Sequence, residues 1–122
     1  MKYVEIYADD EGISNFREVD IELVRGEVGP PALPVELSPF RAATEVGFIS
    51  IPPGWVGGWH QAPTDGFIFV LSGEIQIEVG DGEIRRFPQG SIWLHKDRSG
   101  PGHNTIAVSS EDAELVMVKF PD

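Results

Sequence analysis

The chain has 122 residues, of which 9 are Lys or Arg and 20 are Asp or Glu, so its formal net charge is −11. An acidic surface repels phosphate backbones, and the chain has no apolar run of about 18 residues, so we expect neither a nucleic-acid partner nor a membrane partner. The absence of cysteine excludes disulfides, thiolate metal sites and a cysteine nucleophile.

A chain of this length is typical of one domain. Its first residues lack the basic start and apolar core of a signal peptide, so we predict a cytoplasmic protein.

The first half of the chain has irregular patterns. Tyr3 to Tyr7 is predicted as an edge strand, and Ser14 to Glu18 as one helical turn in which Ser14 is the capping residue. Ile21 to Val24 is a candidate strand. The segment Gly29 to Pro34 contains three prolines and is predicted to be an extended loop, because proline is excluded from the interior of a hydrogen-bonded strand ladder. Glu45 to Ile51 resumes a strand pattern.

The second half alternates short strands with glycine turns. The apolar run Phe67 to Leu71 predicts a buried strand, and Glu74 to Val79 alternates polar and apolar residues as a half-buried strand does. Gly80-Asp81-Gly82 is typical of a tight hairpin that leads to a partner strand. The remaining predicted strands are Glu83 to Phe87, Ser91 to Lys96, Thr105 to Ser109 and Glu114 to Phe120. This rhythm predicts an all-β antiparallel barrel or sandwich.

One set of residues carries a family pattern, made of turn glycines, a proline and two histidines that bracket short strands. They are Gly54, His60, the run Phe67 to Gly73, Gly82, Pro88, Gly90, and the Asp-x-x-Gly-x-Gly loop 97–102 that ends at His103. This pattern resembles the cupins, which are small jelly-roll barrels, and it covers about 70 residues.

The resemblance implies an all-β, cupin-like jelly-roll β-barrel: a single domain, 1–122, with an N-terminal arm. Residues 1–46 would form the arm and outer strands, and 47–122 the barrel core. We expect the arm to pack outside the barrel or to pair with a second subunit. Because an exposed edge strand at Tyr3 to Tyr7 favours pairing, we predict a homodimer.

The resemblance also implies a metal centre, whose motif this chain leaves incomplete. The family's second histidine falls on Ala62 and its glutamate on Gly66, so only His60 and His103 remain of four ligands. Transition metals usually need three or four protein ligands, and we therefore predict no cofactor. The alternative is a weak divalent metal site in which a third group joins the two histidines: Gln61, Asp65 or His95.

Two engineered ligands should raise metal affinity if the barrel tolerates a side chain at Gly66: Ala62→His and Gly66→Glu.

His60 and His103 are the candidate catalytic residues, because the resemblance points both rings into the barrel, where imidazoles serve as general acid and base. The plainer alternative is a structural histidine that bonds a backbone carbonyl. Asp97 either orients a histidine or, as we favour here, bonds turn amides in its glycine loop. The candidate ligand-binding residues are Trp59, Gln61, Ile68, Trp93 and His95.

These residues predict a protein that binds a small-molecule ligand or substrate. The chemistry that a histidine pair supports without metal is proton transfer, as in isomerases, epimerases, cyclases and lyases. Two alternatives stay open, a non-catalytic ligand-binding or sensing module and a weakly metal-dependent enzyme. The sequence alone leaves open whether the protein is an enzyme, since the fold hosts many activities.

Overall fold

The computed structural model describes all 122 residues and contains twelve β-strands and no helix. No helix that could cross a membrane is therefore present. In chain order the strands are β1 (Lys2–Ala8), β2 (Ser14–Asp20), β3 (Val24–Gly26), β4 (Val35–Leu37), β5 (Glu45–Ile51), β6 (Val56–His60), β7 (Gly66–Ser72), β8 (Ile75–Glu78), β9 (Ile84–Phe87), β10 (Ile92–His95), β11 (His103–Ala107) and β12 (Ala113–Lys119).

Ten strands form two sheets. The larger sheet has the order β2-β1-β10-β7-β12-β5, and the smaller one has the order β6-β11-β8-β9. The remaining two strands, β3 and β4, pair only with each other. The all-β part of the predicted fold is therefore confirmed.

The hydrophobic core draws on both sheets, because alternate residues of each strand point to the same face. Ile75 and Ile77 of β8 are fully buried, while the residues between and after them are half-buried. Ile68 and Val70 of β7 are buried in the same way from the larger sheet. Removing these side chains from water is the main favourable term in folding.

Tyr3 to Tyr7 belongs to a strand, as predicted, but the predicted edge position is wrong, because β1 lies inside the larger sheet. It pairs antiparallel with β2 on one side and parallel with β10 on the other, where Val4 is opposite Trp93 and Ile6 is opposite His95. Its backbone amides are therefore used within the same chain. The homodimer stays a prediction, but an exposed edge at β1 no longer supports it.

The predicted helical turn at Ser14 to Glu18 is also wrong. These residues belong to β2, and the Ser14 hydroxyl does not cap a helix. It accepts a hydrogen bond from the Gly80 amide and donates one to the Gly102 carbonyl, both at 2.7 Å. Ile21 to Val24 is not a strand either, since the chain is irregular until Val24 begins the short β3.

The second half follows the predicted strands closely, and the hairpin at Gly80 to Gly82 joins β8 to β9 as expected. The structure adds β6, which the sequence did not predict. Two glycines within five residues, Gly57 and Gly58, weaken its strand pattern.

Ser14 ties three segments together, so replacing it should destabilise the fold. The side chain is 1% exposed, and Ser14→Ala leaves the Gly80 amide and the carbonyl of the buried Gly102 without this partner. We expect a loss of about 1–3 kcal/mol in the free energy of unfolding, measured by urea titration. The matched control is Ser38→Ala, because the exposed Ser38 hydroxyl contacts only the Pro39 carbonyl. Equal stability of the two variants would contradict the bridging role.

Candidate functional site

Two histidines face each other across neighbouring strands. β6 and β11 run antiparallel, and their register places His60 opposite His103. The ring centroids are 4.6 Å apart with a tilt of 57°. The His60 Nδ1 lies 2.9 Å from the Gly58 carbonyl oxygen, so a protonated Nδ1 donates to it. The strand pairing therefore brings together the two residues that the sequence singled out.

A buried carboxylate holds the ring of His103. The His103 Nδ1–H donates to Asp97 Oδ2 at 2.6 Å, and the two residues are 3% and 0% exposed. No turn amide donates to the Asp97 carboxylate, so the turn-forming role favoured from the sequence is wrong. The reason is that the loop folds back, so that the side chain of Asp97 reaches the ring six residues later.

The loop between these two residues is packed against the strands beneath it. Gly102 has φ of +79°, and a β-carbon there would collide with the backbone carbonyl of His60. On the other side, the Ala62 amide donates to the Asp97 carbonyl at 3.1 Å. Only glycine permits this approach, which fixes where β11 begins and where His103 points.

His95 is the third imidazole of the site. It lies on β10 opposite Gly66, is 4% exposed, and its Nε2 has no hydrogen-bond partner. Burial and then the nearby His103 lower the pKa of His95 to about 4, although Asp97 acts in the opposite direction. His95 is therefore a neutral imidazole at neutral pH.

All three histidines line one cavity of about 360 Å³ between the two sheets. Its wall is otherwise mostly apolar, and no Lys, Arg, Asp or Glu contributes to it. Ile68 and Trp93, both predicted as ligand-binding residues, lie in this wall with His95. The sequence missed further apolar wall residues: Ile49, Ile51, Leu115 and Met117. Strand alternation could have indicated the aliphatic ones, but not which end of each strand reaches the cavity.

Two predicted ligand-binding residues do not line this cavity. Trp59 precedes His60 on β6, so strand alternation directs it away, and it is 47% exposed. Gln61 follows the end of β6, and its side-chain amide donates to the Gly100 carbonyl at 2.7 Å. Trp55, rather than Trp59, supplies the aromatic wall beside Trp93.

The fold and this motif region together match one protein family. Residues 47–119 match the sequence model of the cupin domain, which is more than half of the chain. The chain belongs to the cupin family. Among curated proteins, none matches this cupin.

Solved structures show the same fold and confirm the predicted all-β, cupin-like jelly-roll barrel. A cupin domain from Bordetella pertussis Tohama I is 17% identical, with a TM-score of 0.52 over 84% of this chain and 96% of that one. A Cupin 2 conserved barrel domain protein from Salinispora arenicola CNS-205 is 19% identical, with a TM-score of 0.52 over 84% and 78%. The cupin domain of Schizosaccharomyces pombe Cnp3 is 13% identical, with a TM-score of 0.53 over 89% and 73%. At these identities the likeness concerns the fold alone.

The residues present do not fit the four-ligand metal centre of the cupin motif. No three His, Asp or Glu side chains are grouped as metal ligands. At Gly66, where the motif has glutamate, a β-carbon would lie 2.6 Å from the Val118 carbonyl oxygen and 3.3 Å from His95 Nε2. The condition attached to the Gly66→Glu design therefore fails, because a side chain does not fit there.

This crowding can be tested without metal. Gly66→Ala should lower the free energy of unfolding by about 1–3 kcal/mol, because the Val118 backbone or the His95 ring must move. Gly47→Ala is the matched control in a strand of the same sheet, since a β-carbon there meets nothing within 4 Å. Chemical denaturation of both variants measures the difference, and a neutral Gly66→Ala would contradict the packing described here.

The lowered pKa of His95 also predicts how stability depends on pH. Between about pH 6.5 and pH 4 the unfolded chain binds a proton on this residue that the folded chain does not, so stability falls as the pH falls. The full contribution is about 3 kcal/mol. Between pH 7.5 and pH 4, the free energy of unfolding of His95→Gln should therefore fall by about 3 kcal/mol less than that of the parent protein. Urea unfolding at the two pH values measures both changes. Identical losses would show that His95 does not titrate in this way.

Proposed function

We propose that this cupin transfers protons on a small organic molecule bound in the cavity, with His60 and His103 as general acid and base. The reaction classes are isomerisation, epimerisation, cyclisation or elimination. The observation that carries the proposal is a pair of imidazoles 4.6 Å apart at an apolar cavity, one of them backed by a buried carboxylate. This arrangement has the base and the orienting group that general base catalysis needs.

His103 is assigned as the base. Its Nδ1–H donates to Asp97, which leaves the Nε2 lone pair to accept a proton from the substrate. The imidazolium that forms is paired at once with the Asp97 carboxylate, so the positive charge is compensated inside the protein. Asp97 does not line the cavity and acts through His103, which makes it a positioning residue.

His60 is assigned as the acid. As an imidazolium, His60 donates its Nδ1–H to the Gly58 carbonyl, and its Nε2–H is the proton that it delivers to the substrate. Isomerisation balances when neutral His103 removes one proton and the His60 imidazolium delivers one elsewhere on the same molecule. The proton left on the buried His103 then passes to the neighbouring, solvent-exposed His60 ring, which restores the starting state.

The apolar wall supports such chemistry at the inner end of the cavity, where His95 and His103 are buried. There the pairing between the His103 cation and Asp97 is stronger than it would be in water. The neutral His95 adds no positive charge that would oppose protonation of the other two rings. The site can therefore hold one additional proton at a defined position.

A non-catalytic ligand-binding role is the second candidate. The observation in its favour is that both rings are already held by the protein, His60 by Gly58 and His103 by Asp97. A binding or sensing cupin would need the same shaped cavity but no proton transfer. The two candidates make different predictions for the histidine variants.

Hydrogen exchange tests proton transfer without knowledge of the natural substrate. The protein is incubated in D₂O with simple ketones such as acetophenone and cyclohexanone, and deuterium uptake next to the carbonyl is followed by NMR. We expect uptake above the buffer rate, lowered about a hundredfold or more by His60→Gln and by His103→Gln. Asp97→Asn should lower uptake at least about tenfold while ketone binding is retained, because it disturbs only the position and charge of His103.

The control for Asp97→Asn is Asp112→Asn, which removes a carboxylate from an exposed loop position. Ketone binding without any catalysed uptake would favour the non-catalytic role. Full uptake in both histidine variants would remove these residues from the mechanism.

A further inference from the structure

Resting on the proposed function, we infer that the ligand of this cavity is an uncharged, largely apolar molecule with one polar group, and that anions and cations of the same shape are rejected. The observation behind this inference is the charge pattern of the cavity wall and of the protein as a whole.

No Lys or Arg is available to a bound anion. None of the nine Lys and Arg residues lines the cavity, although carboxylate and phosphate recognition relies on such groups. The cations that come nearest in sequence to the site residues are already paired. Lys96 lies 3.2 Å from the buried Glu5, and Arg98 lies 3.1 Å from Asp122.

At a pH where the imidazoles of the wall are neutral, a bound anion would therefore lose its hydration without a compensating partner, which is unfavourable in an apolar cavity. The net charge of −11 adds a repulsive field outside the cavity, so approach of an anion is also disfavoured at low salt. Both effects act in the same direction.

A cation finds no carboxylate in the wall either. Asp97 is the nearest candidate, but it is fully buried behind His103, and its Oδ2 is occupied by the His103 Nδ1–H. The exterior attracts cations, yet the interior offers them no ion pair. The surface thus attracts cations, whereas the cavity wall has no carboxylate that would bind one.

The polar groups of the wall suit one uncharged polar group on the ligand. Apart from the three imidazoles, the polar side-chain groups of the wall are the Thr105 hydroxyl and the indole N–H groups of Trp55 and Trp93, of which the Trp93 N–H has no partner. Neutral imidazoles and hydroxyls both donate and accept, so they match a carbonyl or hydroxyl oxygen. A volume of about 360 Å³ is at the small end of ligand cavities, so the part of a ligand that the cavity holds is small.

Three matched probes test the charge preference: acetophenone, benzoate and benzylamine, which share a ring and differ in charge. Binding is followed by the indole N–H resonances of Trp55 and Trp93, with Trp59→Phe as the background protein because Trp59 lies outside the cavity. Since a protonated imidazole would add a cation to the wall, titrations are run at pH 8 and low salt. We expect acetophenone to bind at least about tenfold more tightly than either charged probe.

A gain-of-charge variant checks that the wall sets this preference. Pro63 lines the cavity and is solvent-exposed in the loop between β6 and β7, so Pro63→Lys adds a cation without burying it. Benzoate affinity should rise at least about tenfold in Pro63→Lys and stay unchanged in the matched control Pro63→Gln.

Equal or tighter binding of benzoate or benzylamine by the parent protein would overturn the inference, and so would the absence of binding by all three probes. Failure of the proposed function gives a different result, in which acetophenone binds selectively but shows no catalysed deuterium uptake.

Discussion

The buried hydrogen bond between Asp97 and His103 is the interaction on which the site depends. The carboxylate is completely buried, and its Oδ1 has no partner, so the imidazole is its one compensating contact. A buried charge that loses its partner is strongly destabilising, which makes this bond structural as well as chemical. The loop 97–102 can adopt the shape that this bond requires because Gly102 packs closely against the His60 backbone. The Gly102 carbonyl also accepts a hydrogen bond from the Ser14 hydroxyl.

The N-terminal strands extend this dependence to the rest of the molecule. β1 pairs with β10, the strand that carries Trp93 and His95, and the Lys96 amide donates to the Ile6 carbonyl at 2.7 Å. Burial alone would raise the pKa of Glu5, but hydrogen bonds from Arg17 and Lys96 outweigh it and lower the pKa. A carboxylate kept charged in this way joins three strands behind the cavity wall, so residues outside the matched cupin region hold the site in place.

The sequence predicted most of the barrel but only part of the site. Regular alternation, as in Glu74 to Val79, is a local signal, and the predicted strands of the second half are present. The pairing of β1 with β10 is not local: it joins Val4 to Trp93, and nothing near Tyr3 to Tyr7 indicates it. The role of Asp97 is not a local signal either. Whether its carboxylate bonds turn amides or the ring of His103 depends on how the glycine loop folds back, which the sequence does not show.

Gly66 shows why the loss of metal ligands and the presence of His95 belong to one arrangement. The imidazole of His95 and the Val118 carbonyl occupy the space into which a side chain at position 66 would project. Restoring a glutamate there would require both to move, so a single substitution cannot recreate the ligand set of the cupin motif in this packing. With that position filled by a neutral imidazole, the polar groups left to the cavity are proton donors and acceptors. Their chemistry is then set by Asp97, which places a compensating charge behind only one of the three rings.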